Sequence, residues 1–150
     1  MAKIAFDAKL LKSLLESTPR FEKCMRSLNV LELGKGKCVA AIKIEEEHTN
    51  PMGSMHGGFA TSLVDSISSW ALFTHERANC ASVSVNINMT FMKGAKEGEE
   101  VQIEADTLRV GNTMAFLEVS IKNKKDGSLL VKGEHTKFLY KLTNLCQLLL

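Results

Sequence analysis

Residues 57–74 read GGFATSLVDSISSWALFT, and the fold is decided by how this stretch is read. Ala60, Leu63, Val64, Ile67, Trp70 and Ala71 recur at helical spacing and make one apolar stripe. Thr61, Ser62, Asp65, Ser66 and Ser69 form the other face, polar but small, with a single charge. A helix facing solvent carries long charged side chains, so this pattern predicts a central helix enclosed on most of its sides. Ionised Asp65 loses solvation there unless donors compensate. Two readings of it stand side by side: a structural carboxylate bonded to nearby Ser or backbone groups, and a functional one tuned by its surroundings.

Immediately upstream, HTNPMGSMHGG (residues 48–58) is a loop rich in Gly and polar turn residues. Its last three residues, His56-Gly57-Gly58, sit where the helix begins, and the first N–H groups of a helix have no intrahelical acceptor. Glycine leaves those donors open to a ligand atom, and amides at a helix N-terminus suit an oxyanion or a polarised carbonyl. Asp65 follows Gly57 by eight residues, about 12 Å up the axis at ~1.5 Å per residue. That is too far for both to act on one carbonyl within one chain. If they share a site, two copies of the helix run antiparallel, with Gly57 of one facing Asp65 of the other. This predicts a homodimer with shared sites.

The chain beyond the helix is strand-like. Residues 83–92 alternate Val83, Val85, Ile87, Met89 and Phe91 against Ser84, Asn86, Asn88 and Thr90, which predicts an unbroken half-buried strand. Residues 100–110, 114–123 and 128–140 read as three more, the last two joined through an Asp126-Gly127 turn. Short connections predict a four-strand antiparallel meander. Before the helix, residues 3–17 predict an amphipathic helix, 20–27 a second short helix after Pro19, and 38–44 (CVAAIKI) one strand. Gly34 and Gly36 mark a turn, since the G-x-G lacks the remaining glycine of a dinucleotide fingerprint. The class is α+β: residues 1–140 form one domain, with the N-terminal helices within 1–30, followed by an apolar tail at 141–150, KLTNLCQLLL.

A chain of 150 residues is one domain's worth. Its net charge of +2 is spread evenly, with 10 basic and 9 acidic residues before Lys93 and 9 and 8 from it onward, and aromatics are 6%. Nucleic-acid binding normally needs a basic stretch with stacking aromatics, so that class is set aside. Cysteines 24, 38, 80 and 146 lack C-x-x-C spacing and read as free thiols of a reducing compartment. Histidines 48, 56, 75 and 135 lack a ligand spacing, so no metal is expected, and G-x-S-x-G is absent. No apolar run approaches the ~18–20 residues of a membrane span. The N-terminus is not a secretory signal. Its lysines and apolar spacing resemble a mitochondrial presequence, but Asp7 and Glu16 count against one, so the expected compartment is the cytoplasm, with the mitochondrion second.

HTNPMGSMHGGFATSLVDSISSWAL, then SVSVNINMTFMKGAKEGEEV, then GEHTKFL, together resemble the hotdog-fold thioesterases of the phenylacetate-pathway type. The resemblance covers roughly residues 10–140, with loop, helix and strand motifs in the family's order. It implies a long central helix wrapped by a mainly antiparallel sheet of five to six strands, a dimer, and dimers paired into tetramers. It also implies hydrolysis of medium- to long-chain fatty acyl-CoA to fatty acid and coenzyme A, without metal or other cofactor. By that resemblance Gly57 polarises the thioester carbonyl through its N–H and Asn50 helps hold it. Asp65 of the partner protomer acts as general base on water or attacks directly, Ser84 orients the water or the carboxylate, and His56 buttresses the loop or touches substrate.

Coenzyme A would lie along Phe91, Met92, Lys93, Gly94, Ala95 and Lys96, along Arg109, Val110, Gly111, Asn112, Thr113 and Met114, and beside Ser84 and Phe138. Lys93, Lys96, Arg109 and Lys137 are the cationic candidates for its phosphates. The chain departs from the family at Lys93-Gly94, where Ser-Pro is expected, and in its apolar tail. Two other readings stay open at this point. One is a hotdog dehydratase, for which His56 would supply the histidine. The other is a non-catalytic acyl-CoA-binding module, against which Asp65 argues.

Overall fold

The 17-residue helix α2 (Gly57–Phe73) runs along the inner face of a six-stranded sheet. The computed structural model describes residues 6–78 and 81–140. The strands are β1 (Asn29–Gly34), β2 (Lys37–Lys43), β3 (Ala81–Phe91), β4 (Glu100–Val110), β5 (Met114–Asn123) and β6 (Leu129–Tyr140). They lie in the order β1-β2-β4-β5-β6-β3 with every neighbouring pair antiparallel. The apolar stripe of α2 is buried as its periodicity predicts, save that Trp70 is only partly so. Ala60, Leu63, Val64, Ile67 and Ala71 pack in one core with Ile42, Ile103, Val119, Ile121 and Val131 of the sheet. Gly133 of β6 lets sheet and helix close up, because a Cβ there would stand 2.9 Å from Val64 Cγ1.

Several expectations are corrected. The strands after α2 are not one meander: β4, β5 and β6 are, but β3 pairs with β6 and lies at the sheet edge. The chain from β3 to β4 crosses the end of the sheet, where the amide of Met55 donates to Ala95 O (2.7 Å) and that of Gly98 to Ile44 O (2.7 Å). These bonds deliver β4 to the free side of β2, not to β3. A strand was also missed. β1 pairs with β2 through a turn in which Lys35 (φ 53°) and Gly36 (φ 79°) take left-handed backbone, and a register shift between Val30 and Glu32 breaks its alternation. The first helix, α1 (Ala8–Ser17), starts later than residue 3, with Asp7 Oδ1 accepting from the Leu10 amide at 2.8 Å as its cap. Its buried side is Leu11 and Leu15, while Leu14 is exposed. The second helix is a single 3-10 turn, Phe21–Met25.

The tail at 141–150, Cys80 and Cys146 lie outside the described residues. Among the described residues, no helix is long and apolar enough to cross a membrane.

Candidate functional site

Asp65 stands midway along α2 with its side chain about half exposed (49%) in the single chain, so its own fold encloses it less than the sequence pattern predicts. Ser84 Oγ donates to Asp65 Oδ1 at 3.2 Å. Simple alternation would place Ser84 on the face opposite Ile87 and Met89. A β-bulge between Ser84 and Asn86 changes the parity, so Ser84 shares the helix-facing side with them. The expected unbroken alternation of residues 83–92 is therefore wrong, and the break is what brings Ser84 to Asp65.

Two residues that sequence reasoning did not place beside Asp65 complete this cluster. His135 of β6 is buried, with Nε2 2.9 Å from Ser84 Oγ and Nδ1 2.7 Å from Ser68 Oγ. With Ser84 donating to the Asp65 carboxylate, His135 Nε2–H donates to Ser84 in turn, while Ser68, whose hydroxyl donates to Val64 O at 2.6 Å, faces His135 Nδ1. Burial, and then the charge of Lys137, push the His135 pKa down to about 4, against the opposing pull of Asp65. Lys137, expected on a phosphate-binding rim, is instead 4% exposed and faces α2, with Nζ donating to Ser69 Oγ at 2.8 Å. Burial lowers its pKa and Asp65 opposes the shift. The legible signal was the H-x-K spacing of His135 and Lys137, which puts both side chains on one face of a strand.

At the N-terminus of α2 the loop folds back on itself: the His56 amide donates to His48 O (2.8 Å) and that of Asn50 to Ser54 O (2.8 Å). His56 is the cap, its Nδ1 accepting from the Gly58 amide at 2.8 Å, while its carbonyl accepts from Ala60 at 3.0 Å. The Gly57 N–H, as the first of the helix, is left for a ligand. Asn50 Oδ1 accepts from the amides of Met52 (2.9 Å) and Ser54 (3.3 Å), so what Asn50 can offer a ligand is its side-chain NH2. His48, also missed, anchors this loop. It is buried, stacked on Phe59 at 4.2 Å, with Nδ1 accepting from the Glu45 amide and Nε2 3.0 Å from Cys24 O.

The two halves lie apart in one chain: Gly57, Asn50 and His56 at the helix start, and Asp65 with Ser84, His135 and Lys137 further along. The two expected coenzyme A segments are separated likewise. Phe91 stands beside Gly57, and Met92, Lys93, Gly94 and Lys96 are exposed nearby, but Ala95 is buried and tied to Met55. Residues 109–114 lie past the other end of α2, where Val110 is buried with Leu72 and Ala78. There Arg109, Gly111 and Asn112 join His75 and Arg77 around an open cleft of about 520 Å³, with Thr113 and Met114 following. Met114 pairs with Phe138, which is on the outer face of the sheet.

Residues 52–130 match the family model of the thioesterase superfamily. The chain is similar to acyl-coenzyme A thioesterase 13 of Homo sapiens, 43% identical over 79% of this chain and 84% of the relative. The Mus musculus protein of that name is 42% identical over 81% and 86%. Among solved structures, zebrafish thioesterase superfamily member 2 superimposes with a TM-score of 0.85 at 38% identity, covering 91% of this chain and all of that one.

Proposed function

The chain belongs to the thioesterase superfamily and is a thioesterase, and from that premise we propose that it hydrolyses medium- to long-chain fatty acyl-CoA in a site shared between two copies. The observation that carries this reading is the separation just described. A ready carbonyl-binding amide at Gly57 and a hydrogen-bonded carboxylate at Asp65 occur on one helix, too far apart to serve one thioester. Two antiparallel copies of α2 bring the Gly57 end of one to Asp65 of the other, and the coenzyme A segments at opposite ends of α2 meet by the same operation.

In that site the thioester carbonyl accepts from the Gly57 N–H and the Asn50 side-chain NH2 of one protomer. Asp65 of the other removes a proton from water, oriented with the help of Ser84, and the water oxygen attacks the carbonyl carbon. The C–S bond of the resulting oxyanion breaks. Coenzyme A leaves as thiolate and recovers the proton from Asp65, and the acyl group leaves as carboxylic acid. Direct attack by Asp65, giving an anhydride that water then opens, uses the same residues. A thioester has weaker resonance than an oxygen ester and a better leaving group, so one base and two carbonyl donors suffice without a metal or a serine relay. His56 buttresses the loop as a cap. Exposed Phe116, Phe138 and Tyr140 on the outer face of the sheet support pairing of dimers into a tetramer.

The test is thiol release from a panel of acyl-CoAs by wild type and Asp65→Asn. Wild type should act best on medium to long chains, and the variant should lose ~10²-fold or more, the range expected for loss of a general base. Turnover by the variant near that of wild type would overturn the assignment of Asp65, and no release by wild type would overturn the activity.

A further inference from the structure

Lys137 has a cost that a purely structural residue would not carry. Burying an ammonium forfeits several kcal/mol of hydration, and an apolar residue fills the next inward position of β6, Leu139. Lys137 is held by Ser69, whose hydroxyl in turn donates to the backbone carbonyl of Asp65 at 2.6 Å. His135, two residues earlier on the same face, grips Ser68. The two β6 side chains thus hold successive serines, three and four residues beyond Asp65 and therefore one turn along the same side of α2.

We propose that Lys137 is a positioning residue that supplies the permanent counter-charge of the site, so that His135 stays neutral and the His135–Ser84 pair keeps its hydrogen bond directed at Asp65. The inference rests on the reading of Asp65 as the reacting carboxylate. Among the described residues, the charged groups facing His135 are Asp65 from α2, at 3.7 Å, and Lys137 from β6. The inward neighbours, Ser84 and Ile87 of β3 and Leu117 of β5, carry no charge. With Asp65 anionic, one positive charge balances the cluster. Lysine carries that charge throughout the range in which histidine titrates, so the charge of the site does not change there. Without Lys137, His135 is the one group left to supply it, and it would do so only below neutral pH.

The test compares wild type, Lys137→Met, Lys137→Gln and Lys137→Arg by NMR titration of the His135 ring and by the pH dependence of kcat/KM on an acyl-CoA. In wild type the ring should stay neutral to below about pH 5. In the Met and Gln variants its midpoint should rise by about one pH unit or more, and kcat/KM should acquire a matching fall on the acid side. The Arg variant should behave as wild type. A His135 midpoint that is unmoved in a folded Met or Gln variant overturns the proposal, as does a ring that titrates near 6.5 in wild type, a measurement that needs no variant to fold. The titration needs no turnover, so a wild type that releases no thiol would sink the proposed reaction and leave this result separately readable.

Discussion

At the residue scale, the site depends on which atoms are left over once the fold has used the rest. Gly57 shows this most directly. A Cβ built there would meet only the Phe91 ring, at 3.6 Å, an ordinary contact. The fold therefore does not demand glycine at this position, and helix propensity favours alanine by ~1 kcal/mol. The bare amide is what a ligand needs. Gly57→Ala should leave the thermal midpoint unchanged or slightly raised while acyl-CoA hydrolysis falls at least ~10-fold, since a methyl then crowds an oxyanion donor whose removal typically costs 10²–10³ in kcat. A calorimetric scan beside a thiol-release assay checks both, and a variant with full activity would mean that the thioester is bound elsewhere. Gly57 and Asp65 could be singled out from the residues, because a glycine at a helix start and a lone carboxylate on a small polar face are sequence patterns, whereas Asn50 entered through the family resemblance alone. Ser84 was named, but its reach to Asp65 was not legible, because it depends on one extra residue in β3. His135 lay inside a quoted motif without a role, because its partners are 51 and 67 residues away.

At the element scale, α2 and β6 are one unit, and their closeness positions the cluster. Gly133 is a point of close approach: an added methyl would lie 2.9 Å from Val64 Cγ1 and 3.2 Å from Met89 Sδ. Val64 is β-branched and cannot swing aside cheaply, so Gly133→Ala should destabilise by about 1–3 kcal/mol. Chemical denaturation would show it as a lower midpoint at unchanged slope. Adding Val64→Ala should restore part of the loss, whereas strictly additive destabilisation would show that the two do not touch. Periodicity gave α2, β4, β5 and β6 their extents to within a few residues, because each buries one face. It could not give the position of β3, because hydrophobic pattern specifies the face of a strand and not its neighbour. That choice lies in backbone hydrogen bonds of the 92–99 connection, which any side chains could make. β1 was hidden because its bulge interrupts the period of two on which strand recognition relies.

At the scale of the whole molecule, the described residues leave β3 at an uncovered edge of the sheet. β3 is an 11-residue strand, ASVSVNINMTF, with no charge and no proline, and its Val83, Val85 and Phe91 are 45%, 57% and 55% exposed. Native edges are normally short, charged, bulged or covered, and of these protections β3 has only its bulge between Ser84 and Asn86. A second copy pairing along β3 would cover this one and carry α2 to its antiparallel counterpart, the arrangement the shared site requires. The sharing makes a prediction that needs no interface structure. In a dimer of Asp65→Asn with Gly57→Ala, one site draws Gly57 from the first chain and Asp65 from the second, both intact, while the other site carries both lesions. Two variants that each keep at most about a tenth of wild-type turnover should therefore recover about a quarter of wild-type thiol release when co-expressed with random assortment, since half the dimers are mixed and each holds one intact site. Mass spectrometry of the intact complexes would establish that mixed dimers are present. Mixed dimers without activity would mean that Gly57 of one chain and Asp65 of the other do not serve one thioester, which would overturn the shared site.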